Sequence, residues 1–348
     1  MRSTADRDGQ PYLMPLLPLT LTLPLTLIAS LPPSGPRVLA SSLVCLSLSP
    51  RPTDQLVNQR TPFRLDAKLT LLILLVPPSS STMLGAIAGD IIGSVHEFSQ
   101  NERQDFPLFV ARSSPTDDSL LTAAIARVCL EGSRDYRSAI LRAWSDACRP
   151  AVHPPIGPAW GSGFSAWVTA GGETVRQSFG NGAAMRVSPV AWAYEREADV
   201  LEHARLTAAD SHAHPEGIKG AVATAHCIWV ARRTKDAEAV RRTALGYYPE
   251  LPDLDTIRRT HVYNETCQGC VPECLAIATG TPDFESAIRF ACSIRGDADT
   301  LGAIAGAVSQ ALHGIPEPIR QPAVGIAHRY YPWIGSTLTE FESRFGAA

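Results

Sequence analysis

Residues 83–97 read MLGAIAGDIIGSVHE, and residues 296–308 read GDADTLGAIAGAV. Both contain the pentapeptide Gly-Ala-Ile-Ala-Gly, at Gly85–Gly89 and at Gly302–Gly306. Glycines four residues apart lie on one side of a helix and leave a groove that a second helix can approach closely. The repeated pentapeptide therefore indicates closely packed helices, and acidic residues stand beside each copy.

Helical periodicity continues through most of the chain after Met83. In the segment that follows Thr116, for example, Leu121, Ile125 and Val128 recur at the spacing of one helix face. No run of residues alternates in the way that is typical of a strand. The pattern predicts a single all-α domain over residues 83–348. The predicted helices are Leu84–His96, Asp117–Glu131, Tyr136–Ala147, Gly217–Arg232, Thr266–Thr279, Phe284–Cys292, Thr300–Leu312 and Ala323–Phe345.

Residues 1–82 have a different composition, and we expect no compact fold there. Between Pro11 and Pro36 the chain is a low-complexity run of Leu, Thr and Pro, whose prolines would break a helix. These prolines argue against a signal peptide or a membrane span, and Leu69–Val76 is too short to cross a bilayer. Three interpretations remain: a disordered tail, a degenerate targeting sequence, or translated upstream sequence. We favour the last, because Met83 directly precedes a well-patterned helix.

The overall composition argues against a strongly basic nucleic-acid-binding protein. The formal net charge is -3 and the pI is about 6.3, so we predict no stable binding to nucleic acid and none to membranes. The eight cysteines are not spaced like a disulfide framework, which favours a reducing compartment and a cytoplasmic location. Cys267, Cys270 and Cys274 follow one helix face, so we assign them to the core and not to a zinc site.

Two acidic clusters, far apart in the sequence, carry the strongest chemical signal. They consist of Thr116, Asp117 and Asp118, and of Asp297, Asp299 and Thr300. Hard oxygen donors of this kind suit Mg²⁺ or Mn²⁺, although Thr and Asp are also ordinary residues at the start of a helix. The helices that follow are too apolar for the surface, so we expect their acidic ends to converge in the interior. Converging carboxylates would repel one another unless cations lay between them, which predicts a site for two ions.

Three other features could contribute to a site, and each has a simpler structural interpretation. Glu97 could reach the ions or act on a water as a base, but it could also be a solvated surface residue. The glycine-rich loop at residues 179–186 could bind phosphate at a helix start, although most such segments are turns. His212 and His214 suggest a zinc site, yet Pro215 favours polar loop residues in front of a helix.

Taken together, these residues resemble the ADP-ribosylglycohydrolase family. The matching stretches are MLGAIAGDIIGSVHE from Met83, TDDSLLTAAIA from Thr116, SFGNGAAMRVSPV from Ser178, HAHPEGIKGA from His212, TCQGCVPECLAI from Thr266 and GDADTLGAIAGAV from Gly296. The resemblance covers essentially all of residues 83–348 and none of residues 1–82. It implies a compact all-α fold with a two-metal centre in a cleft, holding magnesium in most members and manganese in some.

The resemblance also implies roles for individual residues. The positions that match the family's metal ligands are Thr116, Asp117, Asp118, Asp297, Asp299 and Thr300. Glu97 matches a glutamate implicated in catalysis, and we add Asp118 and Asp297 as catalytic candidates. The residues expected to contact ADP-ribose are Gly180, Asn181, Gly182, Met185 and His214, with the loop facing the diphosphate. Asp90 is expected to support the ligands from behind or to pack.

The family reaction hydrolyses the bond that joins the anomeric carbon of ADP-ribose to an acceptor. The acceptor is a protein side chain such as arginine or serine, a nucleic-acid group or a small molecule. Two alternatives stay open: a two-metal hydrolase of another nucleotide-like substrate, and a non-catalytic member that binds ADP-ribose or has a structural role. Arg295 replaces a glycine common in the family, and a cation beside the metal site could bind phosphate, narrow the pocket or reflect lost activity.

Overall fold

The computed structural model describes residues 82–99 and 101–346, and two antiparallel helices lie at its centre. These are α1 (Leu84–Gly93) and α13 (Ala298–His313), and nearly every residue of both is buried. Gly85 faces the backbone of Gly306, and Gly89 faces the backbone of Gly302, so closely that a Cβ on either glycine of α1 would overlap the opposite chain. The repeated pentapeptide is therefore the contact surface between α1 and α13.

The described residues form fifteen helices in all. The other thirteen are α2 (Asp117–Glu131), α3 (Tyr136–Ala147), α4 (Ser162–Thr169), α5 (Gly182–Met185), α6 (Ser188–Ala193), α7 (Glu197–Ala208), α8 (Pro215–Thr234), α9 (Ala237–Leu245), α10 (Leu254–Thr260), α11 (Cys267–Gly280), α12 (Phe284–Ala291), α14 (Glu317–Tyr330) and α15 (Pro332–Phe345). Within the described ranges there is no strand, and an isolated antiparallel bridge joins Gly180 to Thr266. The prediction of an all-α fold is confirmed.

The remaining helices surround the central pair. Helices α2 and α14 pack on α1, whereas α8, α11 and α12 pack on α13. Because α1 and α13 are antiparallel, the last turn of α1 lies beside the first turn of α13. The start of α2 packs against the same end of α1. This arrangement brings three helix ends to one place inside the protein.

The helix predictions differ in accuracy along the chain. The predicted bounds of α2 and α3 are confirmed, and both helices have side-chain caps: Thr116 accepts a hydrogen bond from the Asp118 N–H, and Asp135 accepts one from the Ser138 N–H. The predicted single helix Ala323–Phe345 is wrong. The chain ends α14 at Tyr330 and begins α15 at Pro332, because proline cannot donate the backbone hydrogen bond that a continuous helix needs.

The predicted extension over residues 1–82 lies, apart from Thr82, outside the described residues, and it stays a prediction. None of the helices in the described ranges combines the length and the hydropathy that a bilayer crossing requires. Cys267, Cys270 and Cys274 are buried on α11, and each thiol donates to a backbone carbonyl oxygen. Their assignment to the core agrees with this placement.

Candidate active site

Buried carboxylates from the three helix ends meet beside one cavity. One ligand oxygen from each of Asp90, Asp118 and Asp299 lies within 4.8 Å of the other two, and the same holds for Glu97, Asp297 and Asp299. Asp299 belongs to both groups, so they are adjacent and share a carboxylate. The convergence that the sequence predicted is present, and the two groups could hold metal ions.

The donor set fits hard divalent cations. Every group in the two triads is a carboxylate oxygen, the ligand type that Mg²⁺ and Mn²⁺ prefer. Among the described residues, Asp118 Oδ1 and Glu97 Oε2 are buried without a hydrogen-bond partner. A buried carboxylate oxygen that accepts no hydrogen bond carries a desolvation cost, and a bound cation removes this cost. The triads therefore have both the chemistry and the unsatisfied atoms of a metal centre.

Burial and mutual repulsion govern the protonation of the cluster. Burial is the first cause that raises the pKa of each of the five carboxyl groups in the two triads and of the neighbouring Asp117. The Asp299 charge is a further cause for the other five of these six groups. The pKa values rise to about 7 for Asp90 and Asp117 and to about 8 for Glu97. Ionised together, these groups destabilise the folded state, and either protons or cations relieve that cost.

Asp90 fastens the start of α2 to α1. Its Oδ1 accepts a hydrogen bond from Thr116 Oγ1 (2.7 Å), and its Oδ2 accepts from the backbone N–H groups of Thr116 (3.0 Å) and Ser119 (3.1 Å). The Ser119 hydroxyl donates to the same Oδ2. Both oxygens of this buried aspartate are thus used to position the helix that carries Asp118.

The two threonines of the clusters lie against Asp118. Thr116 Oγ1 lies 3.3 Å from Asp118 Oδ2, and Thr300 Oγ1 lies 3.4 Å from the same oxygen. Asp117 is half-buried and lines the cavity, but it belongs to neither group of three. Thr116 and Thr300 therefore lie against Asp118, and Asp299 lies close to both Asp118 and Asp297, whereas Asp117 lines the open cavity next to them.

The cavity has a volume of about 580 Å³, a size typical of small-molecule sites. Its wall combines acidic and basic groups. The predicted residues in the wall are Glu97, Asp117, Asp118, Gly180, Asn181, Gly182, Met185, Asp297, Asp299 and Thr300. Charged and polar residues outside the predicted site set also line the cavity, among them Arg176, Arg186, His212, Tyr263 and Glu265.

The glycine-rich loop is tied to the acidic cluster. Asn181 Nδ2 donates to Asp297 Oδ2 at 2.6 Å, and the Asn181 N–H donates to the Glu265 carbonyl oxygen at 2.8 Å. Gly180 forms the isolated bridge with Thr266, just before α11. Asn181 is therefore both a wall residue and a hydrogen-bond partner of a predicted metal ligand.

The two neighbouring histidines have different positions. His214 caps α8 by accepting a hydrogen bond from the Glu216 N–H at Nδ1 (3.1 Å), and it does not line the cavity. His212 is buried and lines it. Pro215 at the first position of α8 was the signal that could have separated them, because the residue before such a proline is the helix cap.

Arg295 lies outside the cavity wall. Its side chain is exposed and forms an ion pair with Glu102, with 3.1 Å between Nη1 and Oε1. The residue has a φ angle of 63°, in the left-handed region that favours glycine. The structure thus places the Arg295 side chain at the surface, where it pairs with Glu102 and does not line the cavity.

Comparison with known proteins agrees with this geometry. A sequence profile of the ADP-ribosylglycohydrolase family matches residues 80–342. The Mus musculus protein named ADP-ribosylhydrolase ARH3 is 27% identical over 198 residues, which cover 42% of this chain and 54% of that relative. The Xenopus tropicalis protein of the same name is 24% identical over 306 residues, covering 67% and 86%. The chain spans about half the length of the mammalian relatives it matches.

A solved structure described as an ADP-ribosylglycohydrolase-related protein complex has the same fold. It matches with a TM-score of 0.51 and 19% sequence identity, over 76% of this chain and 99% of that one. This likeness concerns the fold, whereas the sequence profile spans both acidic clusters, the glycine-rich loop and the paired pentapeptides. The chain belongs to the ADP-ribosylglycohydrolase family.

Proposed function

We propose that this chain is a Mg²⁺- or Mn²⁺-dependent hydrolase with two ions, which cleaves the glycosidic bond between ADP-ribose and an acceptor. The observation that carries the proposal is the pair of buried carboxylate triads that share Asp299. Family membership supports hydrolase activity in general, and the metal dependence and the substrate are the parts that we add.

The residues proposed to hold the ions are Asp118, Asp297 and Asp299, with Thr116, Asp117 and Thr300 beside them. Divalent cations at such a site would orient the ribose hydroxyls, polarise the reacting bond and acidify a nearby water. Asp90 has both oxygens engaged by α2, so we assign it a supporting role. Asn181 restrains Asp297 through its side-chain amide.

Glu97 is proposed as the general base. It lies beyond the end of α1, lines the cavity, and has one buried oxygen without a partner among the described residues. Water attacks the anomeric carbon as the bond from that carbon to the acceptor breaks. Glu97 takes a proton from the water as its oxygen bonds to the anomeric carbon. Glu97 then returns this proton to the departing acceptor atom, so that free ADP-ribose, the unmodified acceptor and an ionised Glu97 result.

The diphosphate is proposed to lie along the glycine-rich loop and the arginine side chains of the wall. Gly180, Asn181 and Gly182 lead into α5, and Met185 lines the same space. Arg176 adds positive charge to the same wall, and the fully buried Arg186 adds positive charge behind it. His214 caps α8 outside the wall and is therefore not part of this proposal.

The test is release of free ADP-ribose by the full chain. Arginine-, serine- and nucleic-acid-linked ADP-ribose would be incubated with the chain in Mg²⁺, in Mn²⁺ and in EDTA. We expect release from at least one substrate that stops in EDTA and in Asp118→Asn and Asp297→Asn. Asp255→Asn, an exposed aspartate outside the cavity wall, is the matched control and should keep full activity. Binding of ADP-ribose without release from any substrate would instead identify a non-catalytic binding protein.

A further inference from the structure

A chain of buried hydrogen bonds leads from Arg186 to the cavity wall. The Arg186 side chain is fully buried, and its Nη2 donates to the Thr207 carbonyl oxygen (2.9 Å) and to Ser211 Oγ (2.7 Å). Ser211 Oγ in turn lies 2.9 Å from His212 Nδ1. Ser211 is fully buried and His212 is 4% exposed, so these contacts lie away from the bulk solvent.

The donor groups in this series of hydrogen bonds determine which atom donates and which accepts at each step. A guanidinium can only donate, so Ser211 Oγ accepts from Arg186. The Ser211 hydroxyl then has its own proton to donate, and His212 Nδ1 is its remaining partner among the described residues. His212 Nδ1 therefore accepts, and the imidazole carries its proton on Nε2.

His212 Nε2 faces the glycine-rich loop. A Cβ on Gly182 would lie 3.1 Å from Nε2, and a Cβ on Gly180 would lie 3.6 Å from it. All three residues line the cavity. The absence of side chains at the two glycines leaves this edge of the imidazole next to the cavity, where a ligand atom can approach it.

We propose that Arg186 and Ser211 are positioning residues, which hold His212 as a fixed Nε2–H donor to an anionic oxygen of the bound ligand. This inference rests on the proposed function, because the ligand in question is ADP-ribose or a product that contains its diphosphate. An Nε2 that carries a proton offers no lone pair to a metal ion, so the same hydrogen bonds favour an anionic partner over the zinc ion that the two histidines suggested.

The charges around His212 favour this state. Burial lowers the pKa of His212 well below its usual value, and the positive charges of Arg186 and Arg176 lower it further. The imidazole is thus neutral near pH 7. Arg176 lines the cavity as well, which makes an anionic oxygen the favoured partner for the Nε2–H group.

The first experiment determines the tautomer in the ligand-free protein. The full chain would be labelled with ¹⁵N-histidine and examined by long-range ¹H–¹⁵N correlation, with the His212 signals assigned by their loss in His212→Gln. We expect an unprotonated Nδ1 and a protonated Nε2. A proton on Nδ1, or a mixture of both forms, would overturn the proposal whether or not the chain is a hydrolase.

The second experiment links the tautomer to binding. Calorimetry with ADP-ribose in Mn²⁺ should show about tenfold weaker binding for Ser211→Ala, as expected for the loss of one oriented hydrogen bond to a charged group. Ser211→Thr keeps the hydroxyl and should restore both the tautomer and most of the affinity. Mn²⁺ affinity, measured separately, should be the same in all three proteins, because no metal-binding carboxylate is altered.

The outcomes separate the two proposals. Equal ADP-ribose affinity in wild type and a folded Ser211→Ala variant would overturn the positioning role. Wild-type protein that binds Mn²⁺ but not ADP-ribose would refute the proposed substrate, and the tautomer measurement would still decide how His212 is held. If Ser211→Ala fails to fold, the wild-type tautomer and the Ser211→Thr variant remain decisive.

Discussion

Replacing Asp299 with asparagine should have opposite effects on the stability of the cation-free and cation-bound protein. Asp299 is the carboxylate shared by both triads, and its charge raises the pKa of its acidic neighbours. Asparagine has nearly the same shape but no charge. In EDTA at pH 7.5 the variant should be the more stable protein, whereas in Mn²⁺ the wild type should be.

The magnitudes follow from the burial and the shared position of Asp299. One pKa unit corresponds to about 1.4 kcal/mol, so removing its repulsion should stabilise the cation-free protein by about 1–2 kcal/mol. A cation present at about 100 times its Kd adds about 2.7 kcal/mol per site to the free energy of unfolding. For a domain of this size, this added stability corresponds to a rise in Tm of about 5–10 °C. The Asp299→Asn variant should lack this rise.

The assay is thermal unfolding of the full chain in EDTA, Mg²⁺ and Mn²⁺. Asp255→Asn removes an exposed aspartate and should show the full wild-type response. Two results would refute the reasoning. One is an unchanged cation-induced rise in Tm for Asp299→Asn, and the other is a lower Tm than wild type in EDTA.

Four further substitutions test other parts of the structure. Glu97→Gln should lower the rate of ADP-ribose release about 10²–10⁴-fold in a single-turnover assay. Its affinity for ADP-ribose, measured by calorimetry, should stay the same. Arg176→Gln should weaken ADP-ribose binding about tenfold without changing Mn²⁺ affinity. Gly89→Ala should lower the free energy of unfolding by about 3 kcal/mol in denaturant melts, because the added methyl overlaps the opposite helix backbone. Because burial and the nearby arginines lower the pKa of folded His212, the folded state binds fewer protons there below pH 6.5 than the unfolded state. The free energy of unfolding of the wild type should therefore fall, relative to that of His212→Gln, by up to about 1.4 kcal/mol per pH unit as the pH drops below 6.5.

Three of these substitutions have a matched control. Glu250→Gln and Arg137→Gln remove exposed charges outside the cavity wall and should leave release and ADP-ribose affinity unchanged. Gly157→Ala adds a methyl with no atom within 4 Å and should change stability by less than about 0.5 kcal/mol. Full turnover in Glu97→Gln would exclude that carboxylate as the base, and unchanged affinity in Arg176→Gln would exclude the arginine from the anion site. Parallel stability curves for wild type and the histidine variant would show that the buried imidazole titrates normally.

The elements with strong local signals were predictable from the sequence. Helices α2 and α3 have clear periodicity and caps at Thr116 and Asp135, and their bounds are confirmed. Helices α7 and α9 were missed, because their apolar residues are few and their exposed faces are rich in charge. The break before Pro332 shows that a local rule about proline outweighs a periodic pattern that continues across it.

The basic part of the cavity wall was not predictable in the same way. Arg176 is held by two backbone hydrogen bonds to residues far along the chain: its N–H donates to the Asp210 carbonyl oxygen (2.8 Å), and its carbonyl oxygen accepts from the Ala213 N–H (2.9 Å). Nothing in the sequence around Arg176 marks this pairing. A residue whose position depends on a long-range loop contact has no local signature, whereas the metal-binding candidates stand at helix starts, which do.

The position of the acidic cluster was, in contrast, predictable from the two pentapeptides and the acidic residues beside them. Acidic residues follow the first copy, at Asp90 and Glu97, and they precede the second, at Asp297 and Asp299. If the two helices packed in parallel, the two acidic sets would lie at opposite ends of the pair. Antiparallel packing through the glycines brings all four to one end, as the structure shows. The same glycine contact that lets α1 and α13 approach closely therefore also concentrates negative charge in the interior. This is the charge that the proposed cations would compensate.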